Sequence, residues 1–190
     1  ANFDDGQFDG WSCGSGTTGG AFGKVCGGYG VKGKGAEIVK TFTSLTPGQA
    51  YTVSLDFIQI DSWDSEHAYI DVNGARCKTI SNLRYDTGSN NMCGNVHSGW
   101  KESKHFVFCR ATPLGSTLRV RVWTSLNEDS TNEAFAIDNV AVQKITFANF
   151  DDGQFDGWSC GSVTTCGAFG KVCGGYRVKG KGAEIVKTFT

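Results

Sequence analysis

Along most of the first 147 residues, apolar and polar side chains alternate with the spacing of strands rather than helices. The clearest case is Tyr51, Val53, Leu55 and Phe57 on one face, against Thr52, Ser54 and Asp56 on the other. Ala36 to Thr43 alternates Ile38, Lys40 and Phe42 with Val39 and Thr41. Ala68, Ile70 and Val72 keep the same period up to Asn73-Gly74, a strong hairpin marker because both residues accept positive φ. Lys104 to Cys109 and Thr117 to Trp123 read as two more strands, the second placing Leu118, Val120 and Val122 opposite Arg119, Arg121 and Trp123. Phe135 and Ile137 lead through Asp138-Asn139 into Val140 and Val142, a last strand. Turn chemistry separates these runs at Leu45-Thr46-Pro47-Gly48 and Leu114-Gly115. Gly14 to Gly35 reads as a long irregular crossing, and residues 82–103 as polar and irregular. No window of about 11 residues sustains the 3.6-residue period of a helix. The expected class is all-β, a two-sheet jelly-roll sandwich.

The pattern then starts again. Residues 1–43 recur as 148–190 with three changes, Gly16 to Val163, Gly19 to Cys166 and Gly30 to Arg177. Residues 1–147 are therefore expected to be one complete sandwich repeat, and 148–190 the first part of a second near-identical repeat. The second copy reaches AEIVKTFT but not the LTPGQAYTV that follows its twin, so it is expected to be completed by continuing chain or by a neighbouring subunit. No Pro-, Ser- or Gly-rich spacer separates the copies, which points to successive units held close together.

Composition narrows the function classes. With 39% hydrophobic and 19% charged residues the chain is globular rather than disordered. A formal charge of −1 provides no basic field for nucleic acid or an anionic membrane surface. No apolar run of about 18 residues is present to insert into a bilayer. The sequence opens at Ala1, as a processed or excised piece would. The cysteines are Cys13, Cys26, Cys77, Cys93, Cys109, Cys160, Cys166 and Cys173, a usage suited to an oxidising, extracellular or cell-surface setting. Because Cys13 and Cys26 recur as Cys160 and Cys173, each pair is expected to bridge locally. Cys77, Cys93, Cys109 and Cys166 remain; either one of the first three staples to Cys166, or two thiols stay free.

Several stretches resemble a known family. Asn2-Phe3-Asp4-Asp5-Gly6 ahead of Gly10-Trp11, the turn at 43–48 followed by Tyr51-Thr52-Val53-Ser54, and the closing Ala136-Ile137-Asp138-Asn139-Val140 are similar to the galactose-binding-like jelly roll of carbohydrate-binding modules and secreted surface proteins. The resemblance implies a structural Ca²⁺ joining the first and last strands, with Asp4 and Asp138 as ligands and Asp151 as their counterpart in the second copy. Independently of it, Asp4, Asp5, Asp9, Glu133 and Asp138 are hard oxygen donors of the kind Ca²⁺ accepts. The competing reading is a solvated acidic loop with an Asx-turn. The Gly14 to Gly35 insertion departs from the family pattern and weakens any transfer of ligand specificity.

Catalytic patterns are missing. Asp64-Ser65-Glu66-His67 contains the residue types of a nucleophilic triad, but groups so close along one strand cannot all face one reacting atom, and no Gly-x-Ser-x-Gly elbow accompanies them. The glycines at 27–35 lack phosphate-loop spacing. A non-enzymatic role is expected. Trp63, Trp100 and Tyr85, in or beside loops, are candidate sugar platforms, while Trp11, copied as Trp158, reads as packing. Thr17, Thr18, Thr164 and Thr165 lie in Gly-rich stretches that could carry O-linked sugar, giving a glycoprotein. The leading expectation is a structural repeat of an extracellular filament, stalk or coat, joined head-to-tail with copies of itself, by continuous chain or by strand exchange. The alternative is a calcium-dependent carbohydrate-binding module, a lectin or adhesin.

Overall fold

The structure, a computed structural model, describes residues 1–88, 93–95, 97 and 99–145, together with the backbone of short strands between 158 and 187. The chain forms two compact units, Ala1–Ile145 and Thr146–Thr190.

The first unit is an all-β sandwich of two antiparallel sheets. Its strands are β1 (Thr17–Thr18), β2 (Lys24–Gly27), β3 (Glu37–Phe42), β4 (Tyr51–Asp61), β5 (Asp64–Val72), β6 (Ala75–Arg84), β7 (Ser103–Ala111), β8 (Leu118–Thr124) and β9 (Glu133–Lys144). One sheet runs β1-β2-β9-β4-β7 and the other β3-β8-β5-β6, an open jelly-roll arrangement. The alternation read from sequence fixes which face is inside. Val53, Leu55 and Phe57 of β4, Val107 of β7, Leu118, Val120 and Val122 of β8, and Phe135 and Ile137 of β9 are all buried in one core. Phe57 sits at its centre, stacked on Phe135 at 6.0 Å and met edge-on by Trp63 at 5.9 Å.

Two stretches expected to be irregular contain strands. Between Gly14 and Gly35, β1 and β2 form a hairpin whose second strand pairs Cys26 with Ile137 and Gly27 with Ala136. Strands this short carry no periodic signal; β2 is a strand because β9 supplies its ladder. Likewise β6 runs to Arg84 and β7 starts at Ser103. The exposed face of β6 is polar, which hides its last residues from a hydrophobicity reading. Opening and closing segments meet where the Val140 N–H donates to the Ala1 carbonyl at 2.8 Å. Phe3 beside that junction is fully buried.

Cys13 and Cys26 are bridged, as expected from their recurrence, with Cα atoms 4.8 Å apart. Cys77 of β6 is bonded to Cys109 of β7, joining the edge strands of the two sheets. Neither is therefore open to Cys166. Cys93 has no disulfide, and burial, followed by the charges of Glu102 and Asp61, pushes its thiol up to about 12. The expected Cys160–Cys173 bridge and any bond of Cys166 lie outside the described residues.

In the second unit, β10 (Trp158–Ser159) pairs with β13 (Val186–Lys187), and β11 (Val163–Thr165) with β12 (Lys171–Cys173). Thr164 opposes Val172 and Thr165 opposes Lys171, the counterparts of Thr17 with Val25 and Thr18 with Lys24. Ser159 opposes Val186, as the Ser12 N–H donates to the Val39 carbonyl in the first copy at 2.9 Å. Near-identical sequences thus take the same local pairings.

Candidate functional site

The outer face of the four-stranded sheet carries a joined set of aromatic and charged side chains. Inward burial of Leu118, Val120 and Val122 sends Arg119, Arg121 and Trp123 outward from β8. Cross-strand register then sets Trp123 opposite both Tyr69 of β5 and Glu37 of β3, and Asp71 opposite Arg121 and Arg76. Tyr69 and Trp123 lie with ring centroids 4.4 Å apart and planes tilted by 37°. His67 continues the row at 6.1 Å from Tyr69. The Arg76 guanidinium sits 4.3 Å from the Tyr69 centroid and 5.1 Å from that of Trp123, and Arg121 lies 4.9 Å from Trp123.

Carboxylates pin this set. The Trp123 Nε1–H donates to Asp71 Oδ2 at 2.7 Å, Arg76 Nε donates to Asp71 Oδ1, and Arg121 Nε donates to Glu37 Oε2 at 2.5 Å. Burial works against the Asp71 charge, but hydrogen bonds from Arg76 and Trp123 and the charges of Arg76 and Arg121 outweigh it. They hold its carboxyl below the usual range. Half-buried aromatic rings with guanidiniums over them, flanked by fixed donors and acceptors, suit a ligand with C–H groups and hydroxyl edges.

A second cluster lies where β5 and β9 begin. Asp64, Glu66 and Glu133 place carboxylate oxygens within 4.8 Å of one another, and of the three only Asp64 is exposed. Burial first, then the charges of Glu66 and Glu128, pushes Glu133 up to about 7. Burial and a side-chain hydrogen bond with Asp64 also raise Glu66. Three hard oxygen donors that repel one another are a set able to coordinate Ca²⁺, which would relieve that repulsion.

The ligands implied by the family resemblance are arranged differently. Asp4 is exposed and its Oδ1 accepts the Lys24 N–H at 3.0 Å. Asp138 is buried, and its Oδ1 has no hydrogen-bond partner among the described residues. Its carboxyl is raised by burial first and then by the charges of Asp4 and Asp56. An orphaned oxygen beside two acids is also compatible with a hard cation. Asp151 lies outside the described residues.

The structure corrects the choice of sugar platform at Trp63. Its side chain is fully buried and its Nε1–H donates to the Ala134 carbonyl at 2.9 Å, so it fills the core and faces no ligand. Tyr85 and Trp100 are half-buried; the Tyr85 carbonyl accepts the Lys101 N–H, and Trp100 packs on His97 at 4.7 Å. Trp11 is packed against Phe42, as read. His67 Nδ1 accepts the Asn82 N–H at 3.1 Å, so that nitrogen serves the backbone. The Thr17 hydroxyl donates to the Gly27 carbonyl, while Thr18 is exposed. The Tyr69–Trp123 pair was missed because sequence shows both residues as polar-face positions but not the register that joins them.

No family model and no curated protein matches the chain. Among solved structures, a sugar-binding C-terminal domain of EclA aligns at 16% identity over 59% of this chain and 68% of that one, with a TM-score of 0.40. The CBM22-1 xylan-binding domain of Paenibacillus barcinonensis Xyn10C aligns at 10% identity over 77% and 93%, with a TM-score of 0.39. A CBM4 structure aligns at 14% identity over 64% and 69%, with a TM-score of 0.36. The two-sheet sandwich itself rests on the strand pairings.

Proposed function

We propose that the first unit is a non-enzymatic, extracellular or cell-surface carbohydrate-binding module, with Tyr69 and Trp123 as the platform and Asp71, Arg76, Arg121 and Glu37 as its polar frame. The observation that carries this reading is the 4.4 Å Tyr69–Trp123 pair on an outward sheet face, held by Asp71 before any ligand arrives. A sugar ring presents C–H groups to the electron-rich face of an aromatic, and its hydroxyls need donors and acceptors at the rim. Preorganised side chains lower the ordering cost of binding. Ca²⁺ on Asp64, Glu66 and Glu133 would act as a structural ion. A glycan array probed with the intact chain and with Trp123→Ala tests the reading. Wild-type binding that the variant loses supports it; an array with no response overturns it.

A second, compatible reading is a repeat unit in a head-to-tail array of copies. It is favoured by the identical local pairings of Thr17 with Val25 and Thr164 with Val172. Images of the native molecule should show a periodic filament; isolated particles of one sandwich would contradict it.

A further inference from the structure

Three large apolar side chains stay exposed among the described residues: Phe106, Phe108 and Leu114. Leu114 lies in the turn after β7, but Phe106 and Phe108 stand two residues apart on β7 itself. Val107 and Cys109 of the same strand are buried, so both rings project from the outer face of the five-stranded sheet. They remain 69% and 54% exposed, an arrangement that folding alone does not reward. We propose that this face is a second glycan-binding site, on the opposite side of the sandwich from Tyr69 and Trp123, so that one unit holds two glycan chains at once. The proposal takes its ligand class from the carbohydrate-binding reading and uses none of the residues of the first platform.

Three observations carry it. Cross-strand register sets Asp56 of β4 opposite Phe106 and Ser54 opposite Phe108, so the two rings stand on polar ground. A protein-docking face surrounds its centre with further apolar contact, whereas stacked sugar rings need aromatics beside hydroxyl, amide and charged groups. The polar groups are also fixed in advance. Asp56 is nine-tenths buried; the Asn139 Nδ2–H donates to its Oδ2 at 2.9 Å, and Lys104 Nζ lies 3.2 Å from the same oxygen. Asn139 and Lys104 are themselves exposed and keep their remaining protons for a ligand oxygen. Lastly, the β4–β9 ladder shifts register between Ser54 and Asp56, and Asn139 takes φ +51 beside that shift, with its amide on Asp56. Irregularities of this kind re-aim a side chain out of the regular ladder. The two phenylalanine positions lie about 7 Å apart along the strand, so a saccharide chain running along β7 meets them in turn.

The test is calorimetry on the full 190-residue chain with cellohexaose, xylohexaose and mannohexaose as probes. One of the three should saturate at two equivalents per chain. Trp123→Ala should leave one equivalent, Phe106→Ala combined with Phe108→Ala should leave the other, and all three substitutions together should leave none. Leu114→Ala, which also removes an exposed apolar side chain, should keep both. Melting curves accompany each titration, and the phenylalanine variant should unfold within a few degrees of wild type because both rings are exposed. A single equivalent that Trp123→Ala removes and the phenylalanine variant retains overturns the second face and leaves the first reading standing. A single equivalent that only the phenylalanine variant loses upholds the second face and overturns the Tyr69–Trp123 platform. No uptake of any of the three probes overturns both.

Discussion

Tyr69 and Trp123 face each other across the β5–β8 ladder, their ring centroids 4.4 Å apart, and the Trp123 indole is tied to Asp71 from two residues further along β5. Truncating Trp123 on this outer face should therefore affect ligand binding more than folding. Trp123→Ala should lower glycan affinity by tenfold or more and leave a cooperative melting transition. Trp63→Ala opens the core instead and should cost about 3–5 kcal/mol. Melting curves beside binding isotherms separate the two.

Calcium should stabilise the protein through Asp64, Glu66 and Glu133. At about 100 times its dissociation constant a ligand adds about 2.7 kcal/mol, so the melting temperature should rise with calcium and fall with chelator. Glu133→Gln should remove that response, and Asp138→Asn should keep it. The reverse outcome would move the ion to the junction of the opening and closing segments, beside Asp4.

Asp61 gives the pH dependence a definite sign. Burial first, opposed by the Asn95 N–H and reinforced by the Glu102 charge, pushes its carboxyl up to about 7 from 3.8. Between those values the folded protein binds more protons than the unfolded chain, so Asp61 makes stability fall as pH rises through that window. Asp61→Asn should lessen the slope between about pH 4 and 7, leaving the part that Glu133 contributes with the same sign, and raise the melting temperature at pH 8. Equal pH profiles for the two proteins would exclude Asp61 as the source.

Cys77 and Cys109 close a separation of 32 residues and link the outer strands of both sheets. Replacing both by serine should cost about 2–5 kcal/mol. Denaturant unfolding with and without reductant measures it, and Cys93→Ser should change little by comparison.

The two copies differ where glycine matters in the first. A Cβ on Gly16 would stand 2.4 Å from Phe8 Cζ, and Gly30 adopts φ +71 in open space. Gly16→Val forces Phe8 to move and should cost about 1–3 kcal/mol. Gly30→Arg strains the backbone by about 1–2 kcal/mol. The second copy carries both residues, so its sequence should fit the first copy's place less well. Single-substitution melts of the first copy check this.

Much of the sandwich is legible in the alternation of Tyr51 to Phe57, Ala68 to Val72 and Leu118 to Val122, because burial of one face imposes a two-residue period. The turns at Asn73-Gly74 and Pro47-Gly48 are legible for a related reason, since each needs a positive φ that glycine accepts. By contrast β2 and the platform depend on register between segments far apart in the chain. Cys26 meets Ile137, and Tyr69 meets Trp123, through ladders that no local pattern encodes. Trp63 misleads for a similar reason. It is flanked by Ser62 and Asp64 and reads as a loop aromatic, but a turn between β4 and β5 folds it back over Phe57. Glu133 was recognisable as a hard donor, yet its companions Asp64 and Glu66 come from the other sheet.

The sharpest test of the Tyr69–Trp123 platform is a titration of the isotope-labelled protein with an array-positive glycan, following the tryptophan indole N–H signals. The account predicts that the Trp123 indole signal shifts and saturates with ligand while that of Trp63 stays in place. Saturation with the Trp123 signal unmoved, or movement confined to Trp100, would contradict it.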